Sequence, residues 1–322
     1  MKISREEMIH LYYQMLRIRK VQLHIESLYH LDEMKTPVHL CIGQEAVAVG
    51  VCANLLKEDY VSSNHRGHGH YLAKGGDLKA MIAELYCKES GCSKGRGGSM
   101  HLVDSSAGLM GSSSIVGGGI PIATGLGLAI QMKRQDLVSV VFLGDGAVDE
   151  GCLYESVNFA ILKHLPVVYV YENNHFSVCS DVSSRHYGDV IFHHCPREHL
   201  FSQKIDGNSV LEIYEAARQA VERARFGQGP AFIECDTYRM RGHAGAGDSP
   251  DGYRSKEEVL RWEARCPVRM FRDRLVKEGL TDEGRLSEMD KRIDEEIEKA
   301  FLFAQQSELP QAQDLHRYLY HG

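Results

Sequence analysis

The sequence predicts an α/β fold in which a mostly parallel sheet is flanked by helices and both ends of the chain are helical. The prediction rests on two apolar, strand-length segments joined by a helix, and on long helical patterns near the termini. Residues 137–143 and 167–171 are continuous apolar runs, as expected for strands that are covered on both faces. A helix predicted over 150–164 joins them into a βαβ unit with a right-handed crossover.

The other elements follow from local signals. Ser4 and Glu7 fit a capping box, which predicts an N-terminal helix over about 4–31. Further helical patterns lie near 45–56, 77–88, 120–133 and 209–226, and a strand is predicted over 231–236. Residues 255–306 are predicted to form a helical C-terminal region. We interpret residues 1–322 as a single domain.

Two glycine-rich segments are predicted to be irregular. The first runs from 91 to 119 and shows almost no periodicity, and a long irregular stretch inside a compact chain is usually functional. The second, 239–254, has five glycine or proline residues between Gly242 and Gly252. We expect this loop to be mobile until a ligand binds there.

Composition and charge exclude several classes of protein. The formal net charge is −7 without a basic cluster, which argues against binding to nucleic acid. No apolar run approaches the ~20 residues that span a bilayer. The N-terminus lacks the apolar stretch of a secretory signal and contains acidic residues, unlike a transit peptide, so a cytoplasmic protein is expected. The nine cysteines are an odd number without a CxxC pair, which suggests neither a disulfide framework nor a zinc site.

Polar residues follow the two central strands where a parallel sheet binds its ligands. Asp145 lies within Gly-Asp-Gly after the first strand, and Asn173 and Asn174 follow the second. Each motif alone is more often a simple turn, but the spacing of one crossover unit predicts that they meet. Carboxylate and amide oxygens suit Mg²⁺. Gly144 and Gly146 allow a tight turn whose N–H groups, with the dipole of the following helix, would hold a diphosphate.

These motifs resemble those of enzymes that use thiamine diphosphate. Further segments narrow the resemblance to the α subunits of the decarboxylating component of pyruvate and acetoin dehydrogenase complexes. The matching segments occur in order between about residues 10 and 275, at positions 39–46, 65–70, 94–101, 115–118 and 238–243.

The resemblance implies thiamine diphosphate and Mg²⁺ as cofactors and assigns roles to individual residues. Metal ligands would be Asp145, Asn174 and the carbonyl of Phe176. Val116 would support the bent cofactor from below, and His68 and His243 would be catalytic residues lining the site. The remaining cofactor-binding residues would be Gly144, Gly146, Ala147, Arg66 and Arg239. The metal ligands Asp145 and Asn174 and the catalytic His243 would also contact the cofactor.

The same resemblance implies partners. The glutamate that activates the cofactor would belong to a β subunit in an α₂β₂ assembly, and the acyl group would pass to a lipoyl-bearing acyltransferase. Glu45 is interpreted as structural rather than as that glutamate. The implied reaction is oxidative decarboxylation of a 2-oxo acid such as pyruvate, or cleavage of acetoin.

Three alternatives remain open at this stage. Unusual residues at 149–150 and 175–178 are compatible with a non-oxidative carboligase or transketolase-like subunit. A nicotinamide-dependent dehydrogenase would need a GxGxxG turn between strand and helix, which is missing. A non-catalytic subunit would be expected to have lost some of the residues that bind the metal and the diphosphate.

Overall fold

A computed structural model describes residues 3–188, 190, 192, 195–245 and 252–317. Its main feature is a six-stranded parallel sheet with strand order β2-β1-β3-β4-β8-β7. A short antiparallel hairpin, β5-β6, stands apart from it. The strands are β1 (Tyr60–Asn64), β2 (Leu109–Ser113), β3 (Ser139–Gly144), β4 (Val167–Asn173), β5 (Phe176–Ser177), β6 (Ser180–Asp181), β7 (Phe201–Asp206) and β8 (Ala231–Asp236).

Helices cover both faces of the sheet and form both ends of the described chain. This confirms the predicted fold class. The α-helices are α1 (Arg5–Leu28), α2 (Glu45–Cys52), α3 (His68–Ala73), α4 (Leu78–Leu85), α5 (Gly119–Met132), α6 (Asp145–Val148), α7 (Gly151–Lys163), α8 (Val210–Arg225), α9 (Lys256–Ala264), α10 (Pro267–Lys277) and α11 (Glu283–Gln306).

The central strands are buried on both faces. Alternate residues of β3 and β4 enter two different apolar clusters, one on each side of the sheet. Val140 and Phe142 belong to the larger cluster, whereas Val141 and Leu143 belong to the smaller one. This double burial explains why these strands read as unbroken apolar runs. The predicted βαβ unit is therefore confirmed.

The N-terminal helix begins as its capping box predicts. The Ser4 hydroxyl accepts from the Glu7 amide, and the Glu7 carboxylate accepts from the Ser4 amide. Farther along α1, Arg19 forms a buried ion pair with Glu45 at 2.5 Å. The Glu45 carboxylate also accepts from the Gly43 amide at 3.0 Å. Its oxygens therefore hold α1 against α2, which agrees with a structural role.

Several elements were not predicted. Strands β1, β2 and β7 and the short helix α3 contain many polar residues, and β2 lies inside the segment expected to be irregular. Strand β4 also runs two residues beyond its apolar pattern, so Asn173 belongs to the strand rather than to the turn after it. Polar strands of this kind form because neighbouring strands pair with them. Those neighbours are distant in sequence, so a short sequence window does not reveal the strand.

Three expectations concern properties outside the sheet. Among the described residues, no helix combines the length and apolar character needed to cross a bilayer. Residues 246–251 lie outside the described residues, so the expected mobility of the 239–254 loop stays a prediction. All nine cysteines are free thiols; three of them are buried and Cys179 is exposed.

Candidate active site

A cavity of about 300 Å³ opens at the carboxyl ends of β1, β3 and β4. Loops from distant parts of the chain complete it, so its position agrees with the general rule for parallel sheets. All of the predicted site residues except His68 line this cavity, namely Arg66, Val116, Gly144, Asp145, Gly146, Ala147, Asn174, Phe176, Arg239 and His243.

Asp145 is buried where β3 ends and α6 begins. Its Oδ2 atom accepts from Nη2 of Arg185 at 2.5 Å, and the same guanidinium also binds Asp149. Burial raises the pKa of the Asp145 carboxyl, while Arg185 acts in the opposite direction. Sequence reasoning missed Arg185, because nothing local signals that it lies near Asp145, 40 positions away.

The turn after β3 offers backbone donors to the cavity. Gly146 and Ala147 lie in the first turn of α6, where N–H groups have no partner within the helix. The longer helix α7 begins only at Gly151, after a break. The helix predicted over 150–164 is therefore confirmed. The local donors come from one short turn, because Asp149 and Glu150 interrupt the helix.

The second predicted metal-binding segment follows β4. Asn174 is buried, and its Oδ1 accepts from the Phe176 amide at 3.3 Å. Its Nδ2 lies 3.4 Å from Oε1 of Gln44. The neighbouring Asn173 instead donates to Glu234 at 2.9 Å. Asn174 and Phe176 both line the cavity, so β4 brings them to the side where β3 brings Asp145.

Two buried arginines give the cavity a positive charge. Arg66 donates to the carbonyls of Leu40 at 2.7 Å and His243 at 3.0 Å. Arg239 donates to the Val178 carbonyl at 2.8 Å, and its buried Nε has no hydrogen-bond partner among the described residues. Neither forms an ion pair within the described residues. Burial lowers the pKa of both guanidinium groups, that of Arg66 to about 9. A neighbouring positive charge lowers each pKa further: Arg239 acts on Arg66, and Arg254 acts on Arg239.

Such an arrangement is costly unless an anion binds. A buried charge without a counter-ion loses its hydration, and two like charges in one cavity also repel each other. Guanidinium groups bind phosphate oxygens through two parallel hydrogen bonds. The chemistry of the two arginines is therefore suited to a multiply charged anion such as a diphosphate.

The loop containing Gly43 holds Arg239 in place. The Met240 amide donates to the Ile42 carbonyl at 2.9 Å. Gly43 has a φ of +103°, and a Cβ there would lie 2.3 Å from the Tyr238 carbonyl oxygen. Only glycine allows this close approach of two backbones. The positions of Arg239 and Gly43 are thus linked, although they are far apart in sequence.

Three histidines form one wall of the cavity. The ring centroids of His39, His65 and His243 are 4.8, 5.0 and 5.5 Å apart. Burial, followed by the nearby arginines, lowers their pKa values to about 4, 2 and 3 respectively. All three rings are therefore neutral at physiological pH. Sequence reasoning selected only His243; His39 and His65 lie within matched motifs, but their proximity is a tertiary property.

A buried polar chain forms another part of the lining. The Glu172 carboxylate lies 3.3 Å from Nε2 of His70, whose Nδ1 lies 2.8 Å from the Ser63 hydroxyl. Glu172 and Ser63 line the cavity. Among the described lining residues the carboxylates are Asp145 and Glu172, and each already has a partner within this chain.

The structure does not bring His68 to the cavity surface, contrary to the expectation that it lines the site. The ring is fully buried, and Nδ1 lies 3.1 Å from the side-chain oxygen of Gln22. That oxygen also accepts from the Cys41 amide, so Nδ1 of His68 carries the proton. Nε2 accepts from the Ser99 hydroxyl at 2.8 Å. Although its motif lies beside the cavity, α3 directs this ring into the core.

This buried histidine predicts a pH dependence of folding. Burial lowers the pKa of His68 from 6.5 to about 3. Below pH 6.5 the unfolded chain binds a proton that the folded chain excludes, so the stability is complete above pH 6.5 and falls as the pH decreases. The expected loss is about 1.4 kcal/mol per pH unit. Chemical denaturation at pH 6.5 and at pH 5 would measure this effect. The free energy of unfolding should decrease between the two pH values by about 2 kcal/mol less in His68→Asn than in the wild type. Equal decreases in the two proteins would contradict the prediction.

Comparison with known proteins agrees with this geometry. A family model described as the dehydrogenase E1 component matches residues 13–313. The α subunit of acetoin:2,6-dichlorophenolindophenol oxidoreductase from Bacillus subtilis (strain 168) is 40% identical over 316 residues, covering 98% of this chain and 94% of the relative. The pyruvate dehydrogenase E1 component subunit alpha of Rickettsia bellii (strain RML369-C) is 35% identical over 319 residues, covering 99% and 97%. The chain therefore belongs to the dehydrogenase E1 component family.

Proposed function

We propose that this chain is the α subunit of a thiamine-diphosphate-dependent dehydrogenase that converts a 2-oxo acid such as pyruvate, or acetoin, and passes the acyl group to a lipoyl carrier. One observation carries the proposal. Two buried arginines, neither of which has a carboxylate partner among the described residues, share a cavity with Asp145 and Asn174 at the carboxyl ends of neighbouring strands. The α subunits of acetoin and pyruvate enzymes among the relatives point to the same activity.

The donor set fits a magnesium ion bound to a diphosphate. Asp145, the side-chain oxygen of Asn174 and the Phe176 carbonyl would supply oxygen ligands, and Mg²⁺ completes its octahedron with water and phosphate oxygens. Arg66, Arg239 and the amides of Gly146 and Ala147 would hold the diphosphate. The Nε of Arg239 supports this fit, because it is buried and no described residue forms a hydrogen bond with it. Gly144 and Val116 would line the middle of the site.

When bound, thiamine diphosphate supplies the electron sink for cleavage beside a carbonyl group. This chain would anchor and orient it. Burial of the arginines excludes water from the diphosphate end, which strengthens their interaction with the anion. The neutral His243 would remain a hydrogen-bond donor and acceptor beside that anion rather than a competing cation.

The exposed surface beside the cavity supports a second subunit. Ile115 is 71% exposed, Val116 48% and Val178 52%, although all three line the cavity. Exposed apolar side chains around a site are typical of a surface that a partner covers. Because both carboxylates in the described lining have partners, the glutamate that activates the cofactor would come from a β subunit, in an α₂β₂ assembly.

The proposal can be tested on the native complex, purified through an affinity tag on this chain. Pyruvate and acetoin would be supplied separately with thiamine diphosphate, Mg²⁺ and an artificial electron acceptor. Turnover that requires both cofactors and the co-purified subunit is expected. Ligation of aldehydes without any electron acceptor would instead support the carboligase alternative. Rapid decarboxylation by this chain alone would contradict the α₂β₂ proposal.

Arg185 is expected to oppose metal binding, because it holds the carboxylate that we assign to Mg²⁺. The Arg185→Gln variant should therefore need about threefold to tenfold less Mg²⁺ for half-maximal cofactor binding. This range corresponds to the loss of one ion pair whose free energy lies between that of an exposed pair and that of a buried pair. The fluorescence of Trp262, which stacks on Tyr238 next to Arg239, can report the titration.

A matched control for this titration is Arg272→Gln, which removes a surface ion pair with Glu283 at 2.7 Å. It should leave the Mg²⁺ requirement unchanged. An unchanged or higher requirement in Arg185→Gln would show that this arginine does not compete with the metal.

A further inference from the structure

Glu84 is a fully buried residue of α4 that does not line the cavity and has no role in the proposed function. Both oxygens of its carboxylate accept from the backbone of residues 93–98, here called the clamped loop. Oε2 accepts from the Ser93 and Gly95 amides at 2.7 and 2.9 Å. Oε1 accepts from the Gly97 and Gly98 amides at 2.7 and 3.0 Å. Converging backbone amides form an anion site, and here a carboxylate of the same chain fills it.

The glycines in and before the 94–101 motif allow the backbone to wrap around Glu84. A Cβ at Gly91 would lie 2.3 Å from Oε2 of Glu84, and a Cβ at Gly97 would lie 2.2 Å from the His101 carbonyl oxygen. Only glycine permits approaches as close as these. The glycine-rich motif, to which the proposed function assigns no role, therefore shapes the backbone around this carboxylate.

The clamped loop leads directly to residues that support one side of the cavity. Met100 lines the cavity, and its carbonyl accepts from the Ser112 hydroxyl at 2.9 Å. Nε2 of His101 lies 3.2 Å from the Ser114 hydroxyl. These bonds connect the end of the clamped loop to residues 113–117, here called the lining segment, all of which line the cavity.

The lining segment depends on these hydrogen bonds because its side chains bury little surface. Ile115 and Val116 are largely exposed in this chain, so packing does not fix their position. The proposed function places Val116 against the cofactor. A binding site must hold such contacts within a fraction of an ångström, so a small displacement of the lining segment weakens binding.

We infer that Glu84 is a positioning residue for the cofactor, because its carboxylate holds the clamped loop in the shape that keeps the lining segment in place. This inference rests on the proposed function. Glu84 acts without contacting the cofactor or the substrate. In Glu84→Gln the remaining oxygen can accept from one pair of amides, but the new NH₂ group faces the other pair as donor against donor. That half of the clamped loop is then released.

The test measures kcat and the KM for thiamine diphosphate in the native complex with Mg²⁺. In Glu84→Gln the KM should rise about 10- to 100-fold, while kcat at saturating cofactor stays within about threefold of the wild type. Calorimetric titration with thiamine diphosphate and Mg²⁺, without substrate, should show the same weakening of binding. A variant that was merely less stable would lose active enzyme, which lowers kcat and leaves the KM unchanged.

Asp59→Asn is the matched control for a lost buried carboxylate. Asp59 is fully buried and accepts from the Leu56 and Val138 amides at 2.7 and 3.0 Å, and it pairs with Arg225. It contacts neither the clamped loop nor the cavity. The melting temperature of the complex should fall in this variant, while the KM for thiamine diphosphate stays within about twofold of the wild type.

A measurement on the wild-type complex does not depend on the folding of any variant. If the shape of the clamped loop favours cofactor binding, the cofactor must stabilise that shape by the same factor. Hydrogen exchange at the four amides that Glu84 binds should therefore slow by about tenfold or more when thiamine diphosphate and Mg²⁺ are added. Exchange at the two amides that Asp59 binds should stay unchanged.

The outcomes separate this inference from the proposed function. An unchanged KM in an assembled Glu84→Gln complex, or an equal rise of the KM in Asp59→Asn, would overturn the inference and leave the proposed function intact. If Glu84→Gln does not assemble, hydrogen exchange in the wild type decides, and an absence of slowing would overturn the inference. A wild-type complex that does not bind thiamine diphosphate would overturn the proposed function and, with it, the inference.

Discussion

Asp145→Asn is expected to lower turnover of the assembled enzyme by about a thousandfold or more and to abolish Mg²⁺-dependent binding of thiamine diphosphate. The amide has nearly the same shape as the carboxylate, but it lacks the charge that a hard divalent cation requires. A metal ion that bridges phosphate oxygens contributes several kcal/mol to binding and catalysis, which corresponds to this loss. Turnover and calorimetric titration with the cofactor, with and without Mg²⁺, would measure both effects.

Asp149→Asn provides the control for this substitution. Asp149 is the other carboxylate that binds Arg185, yet it is not among the residues that line the cavity. Its loss should disturb the Arg185 contacts while leaving the ligands in place, so turnover should fall by less than about tenfold. Magnesium-dependent cofactor binding that survived in Asp145→Asn would contradict the assigned metal site.

Arg239→Met is expected to weaken thiamine diphosphate binding by about 100- to 1000-fold without reducing the stability of the ligand-free chain. The loss of two charge-assisted hydrogen bonds to phosphate accounts for the weaker binding. In the absence of ligand, Arg239 is 1% exposed and has no carboxylate partner within the described part of the chain, so its buried charge destabilises the fold. A methionine, which is an unbranched apolar side chain, removes this buried charge.

Thermal unfolding with and without the cofactor and Mg²⁺ would test both parts of the Arg239 prediction. The melting temperature without ligand should be equal to or above that of the wild type, while the shift caused by the cofactor should disappear. Arg241→Met is a matched control two residues away, since Arg241 pairs with Glu26 at 2.6 Å and does not line the cavity. A large loss of stability without ligand in Arg239→Met would contradict the argument.

The central part of the fold could be predicted because its signals are local. The central residues of β3 and β4 (140–143 and 167–171) are covered on both faces, so they form apolar runs that are visible in a short window. Strand β1, by contrast, reads Tyr-Val-Ser-Ser-Asn. The Ser63 hydroxyl forms a hydrogen bond with the His70 ring, and the backbone of β1 is paired with β2 and β3 on its two sides. These partners are distant in sequence, so the pattern gave no strand signal.

In the candidate site, too, some features could be predicted from local signals and others could not. The placement of Asp145 and Asn174 follows from the ends of two successive strands, whose distance is set by the regular spacing of a sheet. Ring orientation follows no such rule. His68 and His243 both belong to matched motifs, yet α3 turns His68 into the core, whereas Arg239 holds His243 at the cavity.

By itself, the sequence determined the α/β class, the βαβ unit, the capped N-terminal helix and the identity of the residues that meet at the strand ends. These features depend on periodicity, capping and strand length, all of which act over a few residues. The tertiary structure alone decided that Arg185 holds Asp145, that three neutral histidines form one wall and that two arginines are buried without a carboxylate partner among the residues the structure describes. Charge pairing and burial depend on side chains brought together from distant positions, so their outcome is fixed only when the chain has packed.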